Sequence, residues 1–72
     1  MKTKPMSRIE KLYYSKRSDE LFHEARDLFP GYNHDPKQSA DATDYIVDRL
    51  APKSLPQKDH VELYEMVYAG LT

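Results

Sequence analysis

The sequence predicts a small all-α domain, three to four short helices around one core, with a flexible basic N-terminal arm. Three observations lead there. Apolar residues recur at spacings of three and four in four separate stretches, and no stretch alternates with a period of two. Two capping patterns, Ser7-Arg8-Ile9-Glu10 and Ser54-Leu55-Pro56-Gln57, stand where helices would begin. Pro30-Gly31 and Ala51-Pro52 stand where helices would stop. At 72 residues the chain has room for one domain, and a core of that size supports a stability of only a few kcal/mol.

Residues 1–6, with Lys2, Lys4 and Pro5, show no apolar period and read as a mobile arm; residues 7–72 read as the domain. Ile9, Leu12 and Tyr13 give a first helix over residues 8–15. At about 100° per residue this cluster points about 160° away from Leu21, Phe22, Ala25, Leu28 and Phe29. One straight helix would turn its two apolar faces apart, so a break near Ser15–Ser18 is expected. The second helix occupies SDELFHEARDLFPG, residues 18–31, with Ser18 as cap and Asp19 and Glu20 where the helix dipole favours negative charge. Pro30-Gly31 ends it.

Residues 30–40 then read as a long loop. A third helix is expected from near Ser39 to Asp41 through Leu50, facing inward with Ala42, Tyr45, Ile46, Arg49 and Leu50 and flanked by Val47. The Ser54 pattern opens a fourth helix reaching Ala69. Its inner arc holds Val61, Tyr64, Val67, Tyr68 and Leu71; Leu63 and Met66 fall outside that arc, and Gly70 suits the C′ position.

Composition excludes several functional classes. There is no cysteine, hence no disulfide framework and no thiolate zinc site, and a cytoplasmic location is expected. No apolar run approaches the length that spans a bilayer, and MKTKPMSRIEK lacks the apolar segment of a secretory signal. Surface anchoring through residues 1–17 would rest on Ile9, Leu12 and Tyr13 alone, too small an apolar face, so no membrane partner is expected.

Residues that carry chemistry are sparse. His23, His34 and His60 are scattered, without the three or four closely spaced ligands of a zinc site, so no metal is expected. Asp41, Asp44 and Asp48 line one ridge of the third helix, and Glu62 and Glu65 sit on the fourth. Acid–base catalysis needs a pocket that separates carboxylate pKa values, and a bundle this small offers little room for one. No phosphate-cradling glycine loop and no nucleophile elbow is present. The chain is therefore expected to be no enzyme and to need no cofactor.

Charge is the most unusual feature. Residues 1–17 carry six Lys and Arg against one acid, and residues 18–72 carry five against eleven, so a net +5 precedes a net −6. Tyr13 and Tyr14 lie inside the basic stretch. Positive charge beside aromatic surface suits phosphate binding with stacking. The remaining acidity and a sequence pI near 6.3 argue against a nucleic-acid footprint. A helix-turn-helix also needs a shorter turn and a less acidic third helix.

Docking on protein fits better. Tyrosine and arginine concentrate where interfaces carry their energy, and opposite electrostatic faces orient an encounter. The expected contact residues are Lys4, Arg8, Lys11, Tyr13, Tyr14, Lys16 and Arg17, with the acidic ridge Asp41, Asp44 and Asp48 aiding orientation.

SDELFHEARDLFPG resembles the helix that opens glutamate-1-semialdehyde aminotransferases, where S-x-x-LF-x-x-A runs into P-G-G. The match covers fourteen residues and departs at Tyr32. Those enzymes are several times longer and hold pyridoxal phosphate on a lysine of a large α/β domain. The resemblance thus implies a capped helix and its stop, and transfers no site residue.

The functional expectation is a non-enzymatic regulatory protein that binds a larger intracellular protein machine. A phage- or plasmid-type modulator of host RNA polymerase, inhibiting or redirecting transcription, is its specific form. The alternative is a nucleic-acid-binding regulator that uses the same basic segment.

Overall fold

In the computed structural model, which describes residues 6–72, the chain enters α1 (Arg8–Tyr13) where the capping box predicts. The Glu10 N–H donates to Ser7 Oγ at 3.2 Å, and the Ser7 N–H donates to Glu10 Oε1 at 2.9 Å. Three more helices follow: α2 (Lys16–Leu28), α3 (Pro36–Leu50) and α4 (Gln57–Leu71), with no strand among the described residues. The all-α expectation is met. Met6 is exposed; the rest of the expected arm, with Lys4, lies outside the described residues.

The expected break between the first two helices occurs at Tyr14–Ser15, and it corrects the cap of α2. Ser15, not Ser18, is the cap. Its hydroxyl donates to the Leu12 carbonyl at 2.7 Å and accepts the Ser18 N–H at 3.2 Å, tying the end of α1 to the start of α2. Ser18 lies one turn inside α2, in line with Leu21 and Ala25, and is fully buried with its hydroxyl unpaired.

An unpaired buried hydroxyl costs about 1–3 kcal/mol, whereas a lost cap costs about 1 kcal/mol. Ser18→Ala should therefore stabilise the protein by about 1 kcal/mol, and Ser15→Ala should destabilise it by a similar amount. Chemical denaturation of both variants checks this: a stability loss in Ser18→Ala would restore Ser18 as the cap. The α2 stripe is also narrower than expected, because Leu28 is 56% exposed.

The segment between α2 and α3 is shorter and more ordered than the expected loop over residues 30–40. Asp35 caps α3, accepting the Lys37 N–H at 3.0 Å, and Pro36 takes the first helical position, where its missing N–H is harmless. Gln38 bridges back. Its Oε1 accepts the Gly31 N–H at 2.7 Å and its Nε2 donates to Asp35 Oδ2 at 3.2 Å. A Cβ on residue 31 would sit 2.6–2.9 Å from that amide, so a larger residue there would push the Gln38 side chain aside and disturb this bridge. The Ser39 hydroxyl donates to the Tyr32 carbonyl and closes the turn.

The Lys37 N–H, then the Gln38 amide, hold the Asp35 carboxyl below its usual range. A carboxyl lowered in the folded state contributes stability above its unfolded pKa of about 3.9, and loses it as pH falls through the folded value. Asp35→Asn keeps the cap and removes the titration. The stability gap between wild type and Asp35→Asn should close as pH drops from about 5 to about 2. A gap independent of pH, measured by thermal melts across that range, would contradict the assignment.

The core joins Ile9 of α1, Leu21 and Ala25 of α2, Ala42, Ile46, Val47 and Leu50 of α3, and Leu63, Val67 and Leu71 of α4. Leu55 pins the α3–α4 connection. Two inner faces differ from expectation, each by about 60° around its helix at about 100° per residue.

On α3 the buried line includes Ser39 and Thr43, while Tyr45 is half-buried and Arg49 exposed. The two hydroxyl residues go inside because both are satisfied there; the Thr43 hydroxyl donates to the Ser39 carbonyl at 2.7 Å. On α4 the buried line is Leu63, Val67 and Leu71, with Met66 half-buried and Val61 and Tyr68 exposed. No side chain caps α4, so the Ser54 box is not used, and Gly70 lies within the helix instead of beyond it. A Cβ at residue 70 would strike the Tyr13 hydroxyl and lie 3.4 Å from the Phe22 ring.

α1 packs on α2 and α4, and α3 packs on the same two helices. The basic α1 and the acid-ridged α3 therefore occupy opposite corners of the bundle.

Candidate interaction surfaces

The first surface is the corner where α1 meets α2. Arg8 and Lys11 lie three residues apart on α1, Lys16 and Arg17 open α2, and all four are exposed. Tyr14 sits at the break between them and is 65% exposed. Arg17 approaches Glu20 at 3.5 Å with both side chains about half exposed, a pair worth a few tenths of a kcal/mol, so it stays available to a partner.

Tyr13 plays a different part from the other expected contact residues. Its ring meets Tyr14 edge-on at 4.9 Å and Phe22 at 6.0 Å, and its hydroxyl lies over Gly70. It is half-buried and fixes the corner, while Tyr14 is displayed.

The second surface was only half visible in the sequence. Asp41, Asp44 and Asp48 are exposed along α3, as the spacing implies. Beside them runs an open groove of about 480 Å³ whose lining also includes Phe29, Tyr45, Arg49, His60 and Tyr64. Tyr45 is held on three sides. Its hydroxyl donates to Glu24 Oε1 at 2.9 Å, Phe29 meets its ring edge-on at 6.2 Å, and the Arg49 guanidinium lies 3.8 Å above it.

The hydrogen bond to Glu24, then burial, raises the Tyr45 phenol above its usual pKa. Burial, then the charge of Asp44 with smaller effects from Tyr68 and Asp41, raises that of Tyr64. Both phenols stay protonated at neutral pH. The residues not expected on this surface are Tyr45 and Tyr64, on the rims of α3 and α4, which the apolar period alone turns inward.

Among the described residues no three His, Cys, Asp or Glu side chains gather as a metal set. His23 and His34 are exposed, and His34 Nδ1 pairs with Asn33 Oδ1 at 2.9 Å. No helix among those residues is long and apolar enough to cross a membrane. The chain matches no protein-family model, no curated protein and no solved structure.

Proposed function

We propose that this chain is a non-enzymatic regulatory protein that works by docking on a larger protein assembly through the α1–α2 corner. A phage- or plasmid-type modulator of host RNA polymerase is the specific case to test first. One observation carries the reading: α1, with Arg8 and Lys11, stands diagonally across the bundle from α3 and its acid ridge, and Tyr14, Lys16 and Arg17 are displayed beside α1 where α2 begins. Such a charge distribution orients a small protein as it approaches a large one and speeds productive encounter. Tyr14 supplies the flat, rigid contact area that interfaces use as an anchor, and Tyr13 braces it from behind.

Affinity capture from the native host lysate tests this, using wild type beside a Tyr14→Ala/Lys16→Glu/Arg17→Glu variant. All three positions are outside the buried core, so the variant should keep its fold. Partners recovered by wild type should fall about tenfold or more with the variant. Equal recovery would remove the corner from the interface. The nucleic-acid reading draws on Tyr14 standing among Lys11, Lys16 and Arg17. It would be favoured if a gel shift, with no protein partner recovered, vanished between about 50 and about 200 mM salt.

A further inference from the structure

The groove between α3 and α4 carries the opposite charge to the α1–α2 corner. We infer that it is a second docking site, one that takes a basic peptide segment of a partner protein, with an arginine or lysine side chain seated among its rings and carboxylates. This goes beyond the proposed function and does not depend on the corner being the primary contact.

Charge complementarity gives the first argument. Asp41, Asp44 and Asp48 edge the groove over a length of about 10 Å at about 1.5 Å per residue. Among the described residues Asp48 pairs loosely with Arg49 at 3.9 Å, and Asp41 and Asp44 form no ion pair within 4 Å. A phosphate-bearing partner, nucleic acid or lipid headgroup, would meet three negative charges here and be repelled.

The lining gives the second argument. Arg49 already shows how the groove holds a cation, with its guanidinium stacked 3.8 Å above Tyr45 and a carboxylate of Asp48 beside it. The rings of Phe29 and Tyr64 offer the same kind of face in the same groove, and among the described residues no cation stacks on either. An incoming basic side chain would repeat the Arg49 arrangement, its charge on Asp44 and Asp41 and its stem against Tyr64. Basic residues spaced three and four apart on a partner helix would match the spacing of the three aspartates.

The probe is a short alanine-rich helical peptide with three arginines at positions i, i+3 and i+7, compared with the same peptide carrying glutamines there. Amide shifts of the full chain are followed during titration. Saturable shifts centred on Val47, Tyr64 and the three aspartates are expected with the arginine peptide only. Asp41→Asn/Asp44→Asn should weaken binding about tenfold, and Tyr64→Leu about fivefold. The charge-neutral corner variant Tyr14→Ala should bind the peptide as wild type does, which separates this site from the proposed function. Circular dichroism confirms that each variant is folded.

Three results would overturn the inference. One is equal binding by the asparagine variant. Another is a shift pattern spread over other faces. The third is groove shifts that grow with protein concentration in the absence of peptide, which would assign the groove to a second copy of this chain.

Discussion

Leu63→Ala should destabilise the protein by about 3 kcal/mol, in the middle of the range for a fully buried leucine. Leu63 is 0% exposed and begins the buried line that continues through Val67 and Leu71. A domain of this size has few kcal/mol to lose, so the variant should be substantially unfolded at physiological temperature. Its melting midpoint should drop by about 15 °C. Val61→Ala is the companion measurement. Val61 is 47% exposed, and its truncation should stay within about 0.5 kcal/mol. Thermal melts that reversed the two results would return α4 to the orientation expected from its sequence.

Gly70→Ala tests the contact that closes the bundle between its first and last helices. Alanine in place of glycine favours a helix by up to about 1 kcal/mol. Here the new methyl would strike the Tyr13 hydroxyl, and the Tyr13 ring has little freedom to retreat between Tyr14 and Phe22. Overpacking of this kind costs about 1–3 kcal/mol, so the clash should win and the variant should lose about 1 kcal/mol.

In a Tyr13→Phe background the obstructing hydroxyl is gone. The same Gly70→Ala change should then gain about 0.5 kcal/mol. A double-mutant cycle by urea denaturation should thus give a coupling of about 1.5 kcal/mol. Zero coupling would mean that Tyr13 does not pack over α4, and the brace behind Tyr14 would go with it.

The helices were legible in the sequence wherever a start signal and an apolar period lay close together. Ser7 and Glu10 mark α1 because both halves of the cap fall within one turn. The start of α3 was harder to place. Asp35-Pro36 is a strong opening signal, yet the turn that follows, Pro36 to Ala40, contributes little apolar surface, so the period becomes visible only further on. The break between α1 and α2 followed from the angular mismatch of the two stripes. Its cap differs from expectation because two serines three residues apart satisfy the same rule, and the Ser18 N–H bond to Ser15 Oγ, with the burial of Ser18, decides between them.

Helix phase was the less legible quantity. Tyr45, Arg49 and Tyr68 have long amphipathic side chains that lie along a rim and count as apolar in a periodicity reading. Ser39 and Thr43 count as polar and yet are buried, because each hydroxyl finds a backbone carbonyl. On α3 both effects act, and on α4 the first acts alone through Tyr68; each helix face is displaced by about 60°. That is why the acid ridge was visible in the sequence while the aromatic groove beside it was not. The basic corner was legible because it rests on charge along the chain, although only packing distinguishes the displayed Tyr14 from the bracing Tyr13.

The most direct test of the account is photo-crosslinking in living host cells, with a photoreactive phenylalanine analogue placed at Tyr14 and, separately, at Leu28. Both positions are exposed, but only the first lies in the α1–α2 corner. A discrete protein adduct at position 14, lost when Lys16→Glu and Arg17→Glu are added and absent at position 28, is the predicted result. Adducts of equal yield at both positions, or an adduct at position 14 to nucleic acid alone, would contradict the claim that this protein acts by docking its basic corner on a protein partner.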